Sequence, residues 1–426
     1  MSGFKWLHVS DIHLRSDSNF DLQLAIGSLL KRIEEIKPID AIFATGDLAF
    51  RGTSEEYERV LDFLERLRVA GSVAVDRVFV VPGNHDINRN RIRPFHRVVV
   101  DDDPDARDRF FGDGRSLELW AEKFKDFATL GTKYPKTWRN GRYPSVVDVF
   151  QAADRRIGVA GLNTAWMVND KEEKDYYKEK LLLGRRLLHD ALDEVNGLHP
   201  DIVFVLMHHP LDWLHPHEQR EIRDLLSQRA DIVLSGHLHE TELTRLRTVS
   251  GEASFFQAGA VNQGSRHPRR FLVGEWDAQS HEFHVRAYTL QGATTTAKWQ
   301  VEQALGEEEK PWTIGAATSE GSRLKLCDTA APLTMKVVPA RRMNGSLSEA
   351  VACLYLDGSK DALAEVEYVR HRCEGGLLDE FTWTNREAQE DFAQTVPVLE
   401  KVVVRSTVVF RDMSERAFDE IHLEVV

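Results

Sequence analysis

Cysteine is scarce in this chain. Its 426 residues hold three, Cys327, Cys353 and Cys373, all in the C-terminal part. An odd, widely spaced set does not make a disulfide framework, so reduced thiols and a cytoplasmic setting are expected. Long apolar runs are missing as well, which argues against a membrane-spanning helix. No signal-peptide pattern opens the chain: Met1-Ser2-Gly3-Phe4-Lys5-Trp6 leads directly into a strand pattern. Positive charge is in deficit. Lysine and arginine number 55 against 68 acidic residues, a net charge of −13. That balance works against broad, sequence-independent attachment to nucleic acid or anionic lipid, although a local basic groove is compatible with it. Internal repeats and extended low-complexity tracts are absent. What is there is an ordinary globular composition, 42% apolar and 29% charged, long enough for two or three domains.

The first part alternates strand and helix patterns. Residues 5–10 read as a strand, 20–35 as an amphipathic helix halted before Pro38, and 41–45 as a second strand. A helix capped by Thr53 or Ser54 runs to near Gly71, and the apolar strand 78–81 follows. This order predicts βαβ units and a largely parallel sheet. Residues 87–144 then mix aromatics, charges and turn residues. They read as an inserted, partly helical cap over the site, or as a peripheral elaboration with its own small core. The alternation resumes with strands over 156–162, 202–207 and 232–235 and helices over 187–195 and 218–228. After residue 292 the texture changes. Residues 293–332 read as linker and 333–426 as a small all-β sandwich.

Polar residues stand at the strand ends: Asp11 and His13, Asp47, Asn84 and His85, His208, and His237 with His239. Pro82 stops its ladder and Gly83 permits a sharp turn, so Asn84, His85 and Asp86 arrive together. Open α/β sheets bind ligands at the carboxyl ends of their strands. Carboxylates, an amide oxygen and several imidazoles form a mixed oxygen and nitrogen set. It suits borderline divalent ions such as manganese, iron or zinc. The set is too large for one tetrahedral zinc. Two metals bridged by a carboxylate fit it better, and such a pair clamps both oxygens of a phosphoryl displacement.

Asp-x-His, Gly-Asp, Gly-Asn-His-Asp, His-His-Pro and Gly-His-x-His, in this order, resemble the calcineurin-like metallophosphoesterase superfamily. The resemblance implies a four-layer α/β/β/α fold for residues 1–292. It also implies a dinuclear centre, with manganese expected first and iron or zinc as alternatives. Asp11, His13 and His239 would hold one ion, and Asn84, His208 and His237 the other, with Asp47 bridging. His85 would contact the phosphate or protonate the leaving oxygen, and Asp86 would orient it. Gly-Asp-Leu-Ala-Phe-Arg-Gly at 46–52 and His-His-Pro-Leu-Asp-Trp-Leu at 208–214 are similar to phosphoesterase modules of multidomain bacterial signalling and conflict proteins. Phe50 and Asp86 stand where protein Ser/Thr phosphatases carry aspartate and glutamate, which points away from a phosphoprotein substrate. Leu354-Tyr355-Leu356-Asp357-Gly358 and Val366-Glu367-Tyr368-Val369 are similar to the prokaryotic YEATS-like β-sandwich. That family is expected to recognise a ligand or a protein partner.

The expected activity is a phosphodiesterase acting on a nucleotide-type ester by in-line attack of a metal-bridging hydroxide. Alternatives are a DNA or RNA nuclease, and a sensor whose β-sandwich controls a phosphoesterase effector. Arg51, Asn163 and His209 are candidate substrate contacts. Asn163 could equally cap its own turn, and His209 could be structural.

Overall fold

The computed structural model describes residues 3–302 except 18–19, 98–103, 140–143, 153, 172–175, 249–250, 263–267, 278–279, 281 and 293–296. Beyond residue 302 it describes strand backbone only. The linker expectation over 303–311 and 314–332 and the cysteine side chains lie outside the described residues. The chain separates into two compact units, Met1–Gly315 and Ala316–Val426.

In the first unit the apolar runs become strands. β1 (Gly3–Val9), β2 (Ala41–Thr45) and β3 (Val78–Val81) are parallel neighbours, linked by α1 (Phe20–Ile36) and α2 (Ser54–Gly71). On α1 the buried residues are Leu22, Ala25, Ile26, Leu29 and Ile33, one face of a 3.6-residue period. Next come α3 (Pro104–Gly112) and α4 (Gly114–Ala121), then β4 (Lys136–Thr137), which pairs with β3. The end of the stretch read as an insertion is therefore part of the main sheet.

The second half repeats the theme. β5 (Ser145–Ala152) and β6 (Arg155–Leu162) are antiparallel, and α5 (Arg185–Gly197) leads to β7 (Ile202–Leu206). α6 (Pro216–Arg229) leads to β8 (Ile232–Ser235), followed by β9 (Glu242–Arg247) and β10 (Glu252–Gln257). β11 (Arg270–Asp277) and β12 (Glu282–Gln291) return to the first sheet beside β1. β13 (Lys298–Val301) and β14 (Trp312–Thr313) pair with β12, inside the stretch read as linker. The result is an 8-stranded and a 6-stranded sheet, both mixed.

The two sheets share one core. Ala41 and Phe43 of β2 and Ile202, Phe204 and Leu206 of β7 enter it, while the alternate residues Ile42, Val203 and Val205 are buried on the outer faces. Burial on both faces explains why these strands read as continuous apolar runs. The Phe204 ring meets Trp6 edge-on at 5.0 Å and Phe43 at 5.1 Å. Outside the sheets, Trp299 of β13 donates from Nε1 to Ala25 O of α1, and α5 and α6 lie on the 6-stranded sheet. The order is helix, sheet, sheet, helix. No helix among the described residues is long and apolar enough to cross a membrane.

The aromatic residues of the stretch read as an insertion pack on one another and on the main body. Phe124 and Trp138 meet at 5.2 Å, and Trp138 meets Trp166 of the main body at 5.4 Å. Lys123, fully buried, donates from Nζ to the carbonyls of Trp166 and Val168.

The second unit is described as backbone strands. Thr334–Arg342, Ala350–Asp357 and Gln394–Val398 form a 3-stranded antiparallel sheet. Val366–Glu374, Glu380–Thr384, Lys401–Phe410, Glu415–Ala417 and Ile421–Glu424 form a 5-stranded one. No helix occurs among its described residues.

Candidate metal centre

Parallel strands end on the same side. The carboxyl ends of β1, β2 and β3 therefore share one edge of the first sheet, and those of β6, β7 and β8 share one edge of the second. Hydrogen bonds join these edges. His208 Nδ1 donates to Thr45 O (2.6 Å), and the Asn262 N–H donates to Asp11 O (3.2 Å).

The turns that follow are strained. Asp11, His13, Asp47, His237 and His239 have φ of 54°, 50°, 53°, 75° and 62°. Left-handed φ is uncommon outside glycine and costs about 1–3 kcal/mol per residue, a burden that concentrates at functional sites. The motif glycines give the room needed. A Cβ on Gly83 would lie 2.2 Å from Asp47 Oδ1, and one on Gly236 would lie 1.9 Å from Ser10 Oγ.

The tips bring metal donors together. Asp11 Oδ1 is 3.1 Å from His239 Nε2 and 3.8 Å from His13 Nε2. The two imidazole nitrogens are 3.3 Å apart. Asn84 Oδ1 is 3.1 Å from His208 Nε2 and 3.0 Å from His237 Nδ1. Asp47 Oδ2 lies 3.4 Å from His208 Nε2, and donor atoms of Asp11, Asp47 and His208 all fall within 4.8 Å of one another.

This crowding fits a divalent cation. Asp11 Oδ1 is buried and, despite its nearness to His239, makes no well-formed hydrogen bond. Facing imidazole nitrogens are repulsive as paired lone pairs and are relieved by a cation. His208 commits Nδ1–H to Thr45 O, which aims its Nε2 into the site. Burial lowers His13 to about 4 and His237 to about 3, so both are neutral imidazoles, the ligand form, near pH 7. Burial alone would raise Asp11 and Asp47. His239 holds Asp11 below the carboxylate range, and His208 does the same for Asp47. Burial would lower His208, but Asp47 overrides it and pushes it up to about 9. A pocket that stabilises a proton in this way also favours a cation.

His85 adjoins this cluster, its ring 4.6 Å from that of His13. The ring stacks on Phe50 at 5.5 Å, its Nδ1 donates to Phe50 O (2.9 Å), and its N–H donates to Asp47 Oδ1 (2.7 Å). The expected orienting contact from Asp86 is replaced by this bond to Phe50. The Asp86 carboxylate turns into the loop after β2. It accepts from the N–H groups of Asp47 (2.7 Å), Leu48 (3.2 Å), Ala49 (3.1 Å) and Gly83 (2.9 Å), and from the Tyr57 hydroxyl (2.9 Å). Asp86 thus positions the turn that carries Asp47.

The three expected substrate contacts differ. Arg51 is exposed, with its guanidinium 5.9 Å from the Phe50 centroid. Asn163 is fully buried and caps its own turn, accepting from the Ala165 N–H (2.7 Å). His209 is also fully buried, between Thr164 Oγ1 (2.8 Å) and Asn84 Oδ1 (3.1 Å). Of the three, Arg51 alone is open to a diffusing ligand. Sequence reasoning missed Tyr57, which reads as an ordinary core position of α2. Trp213, the tryptophan of the His-His-Pro-Leu-Asp-Trp-Leu motif, meets the His237 ring edge-on at 3.9 Å.

The sequence profile of the family described as Calcineurin-like phosphoesterase matches residues 4–241. The chain is 25% identical over 299 residues to the "Uncharacterized metallophosphoesterase-like protein YydB" of Bacillus subtilis, covering 67% of this chain and 59% of that protein. It is 34% identical over 84 residues to a 3′,5′-cyclic-nucleotide phosphodiesterase of Nostoc sp., covering 18% of this chain and 29% of that protein. It is 32% identical over 95 residues to the "Probable glycerophosphodiester phosphodiesterase GpdQ" of Arcobacter nitrofigilis, covering 21% of this chain and 32% of that protein. The chain thus spans less than two thirds of the length of each of these curated relatives.

Proposed function

The chain belongs to the calcineurin-like phosphoesterase family, and from that premise we propose that it is a dinuclear-metal phosphodiesterase acting on a nucleotide-type ester. Asp11, His13 and His239 would hold one divalent ion, Asn84, His208 and His237 the other, and Asp47 would bridge them. Manganese is the first choice for this mixed oxygen and nitrogen set. When bound, the ions supply Lewis acidity, which lowers the pKa of water and neutralises phosphate charge.

The side chains do the rest. Because Nδ1 of His85 is committed to Phe50 O, its Nε2 is the atom left for the substrate. In the doubly protonated ring, Nε2–H can donate to a phosphate oxygen or to the leaving oxygen as the ester bond breaks. The Asn84 oxygen faces imidazoles, which leaves its NH₂ group for the developing negative charge. Phe50 holds the His85 ring, and Asp86 with Tyr57 holds the Asp47 turn.

The observation that carries this reading is the convergence of carboxylate, amide and imidazole donors beside His85. The names of the Nostoc and Arcobacter relatives support a diester over a monoester. The scarce, unclustered cysteines support a cytoplasmic location. Residues 333–426 are proposed to bind a ligand or protein partner. The test is a substrate panel with manganese: bis-p-nitrophenyl phosphate, its monoester, cyclic nucleotides and single-stranded DNA. Turnover of the small diester is expected. Cleavage of DNA without it would overturn the proposal in favour of a nuclease.

A further inference from the structure

A narrow cleft opens beside the metal centre, lined in part by His13, Arg15, Asp17, Arg59 and Asn262. His13 belongs to both places, so a substrate held at the centre has the cleft as its neighbour. The Arg15 guanidinium lies 3.7 Å from the centroid of the Phe50 ring, the ring that also stacks on His85. Stacking on an aromatic face holds the guanidinium plane in place and lessens the entropy lost when it grips a ligand. Arg59 reaches the same cleft from α2. Among the described residues, neither guanidinium forms an ion pair, and Asp17 pairs with neither. Many other arginines of this unit are paired, for example Arg68 with Glu65, Arg91 with Asp126, and Arg270 with Glu302. In a chain of net charge −13, two cations without carboxylate partners at the edge of such a centre call for an anion.

We infer that the Arg15 and Arg59 cleft is a subsite for a second anionic group of the substrate, a terminal phosphate carried beyond the scissile ester. The inference rests on the phosphodiesterase reading and narrows it. The guanidinium fork matches phosphate oxygens two at a time. A diester bearing a free terminal phosphate satisfies both arginines, whereas a diester with neutral ends leaves them unpaired. The preferred substrate is therefore a short linear nucleotide diester with a terminal phosphate.

The test uses the full chain loaded with manganese and a matched pair of dinucleotides, pApA and ApA. They share the scissile ester and differ by the terminal phosphate. The kcat/KM for pApA should exceed that for ApA by about tenfold or more, the worth of one charge-assisted hydrogen bond. In Arg15→Gln and Arg59→Gln the ratio should fall towards unity. In Arg220→Gln, on α6, it should stay as in the wild type. A second arm needs no turnover: calorimetry on the manganese-loaded chain compares adenosine 3′,5′-bisphosphate with adenosine 5′-monophosphate, neither of which holds a diester. The bisphosphate should bind about tenfold tighter, and both arginine variants should lose that margin. Equal handling of each pair by the wild type, or an advantage kept by both variants, overturns the subsite. If no diester is hydrolysed at all, the parent reading fails, and the calorimetric arm still decides the subsite.

Discussion

The Nδ1 of His85 donates to the carbonyl oxygen of Phe50 at 2.9 Å. A main-chain atom, rather than a carboxylate, thus orients this imidazole beside the candidate metal centre. His85→Asn should then lower turnover of a small diester by about 10²–10⁴-fold, the worth of a positioned proton donor. Bound metal should be retained, whereas Asp47→Asn should lose both. Equal metal loss in the two variants would remove His85 from the acid role.

Tyr57 is fully buried, and its hydroxyl reaches the Asp86 carboxylate at 2.9 Å. Tyr57→Phe removes a hydrogen bond to a group that also takes four main-chain N–H donors around the Asp47 turn. Urea denaturation should show a loss of about 1.5–3 kcal/mol, the usual value for bonds to charged groups. A change within about 0.5 kcal/mol, ordinary for surface positions, would contradict this role.

Lys123 is a buried amine facing two carbonyls, those of Trp166 and Val168. Burial pulls its pKa well below the usual lysine value. Its Nζ–H groups donate to both acceptors. Lys123→Met should strand both carbonyls and cost about 1–3 kcal/mol for each. A folded pKa below the unfolded one means the folded chain binds fewer protons, so this contribution grows as pH rises towards the unfolded value. The deficit of the variant, read by thermal unfolding at several pH values, should widen from pH 6 to pH 9 (about the range open to assay). A deficit that shrinks with pH would contradict the lowered pKa.

Glu218 on α6 accepts from the N–H groups of Leu183 (3.0 Å) and Gly184 (3.2 Å), and burial raises its pKa from 4.5 to about 7. Here the folded chain binds the extra proton. Its stabilising share is full below the unfolded value and is lost as pH climbs through the folded one. Glu218→Gln should gain stability relative to wild type between pH 4.5 and about 7, by up to roughly 3 kcal/mol at about 1.4 kcal/mol per pH unit. A flat difference across that window would show that Glu218 ionises freely in the folded chain.

The legible parts of the sequence were those in which one physical signal dominates. Residues 41–45 read as a strand and form β2 with those bounds, because burial on both faces leaves an unbroken apolar run. The donors were legible because each follows such a run directly, where a polar residue has little structural reason to stand. β4 spans two residues and β13 lies in a polar stretch at the sheet edge, so neither carries a period to read. The partners of Asp86 were illegible for a different reason. Sequence neighbours suggested His85, but the Asp47 N–H that it takes lies 39 residues away. Nor does any pattern announce the left-handed φ of Asp11 or His237, which only the closed turn imposes.

Diffraction at the manganese absorption edge, from crystals of the manganese-loaded chain, would locate the ions among the strand tips. A pair of anomalous peaks a few ångströms apart (about 3.5–4 Å for two-metal sites) is expected. One should lie among Asp11, His13 and His239, the other among Asn84, His208 and His237, with Asp47 reaching both. Donors found pointing apart, with no peak between them, would contradict the dinuclear centre.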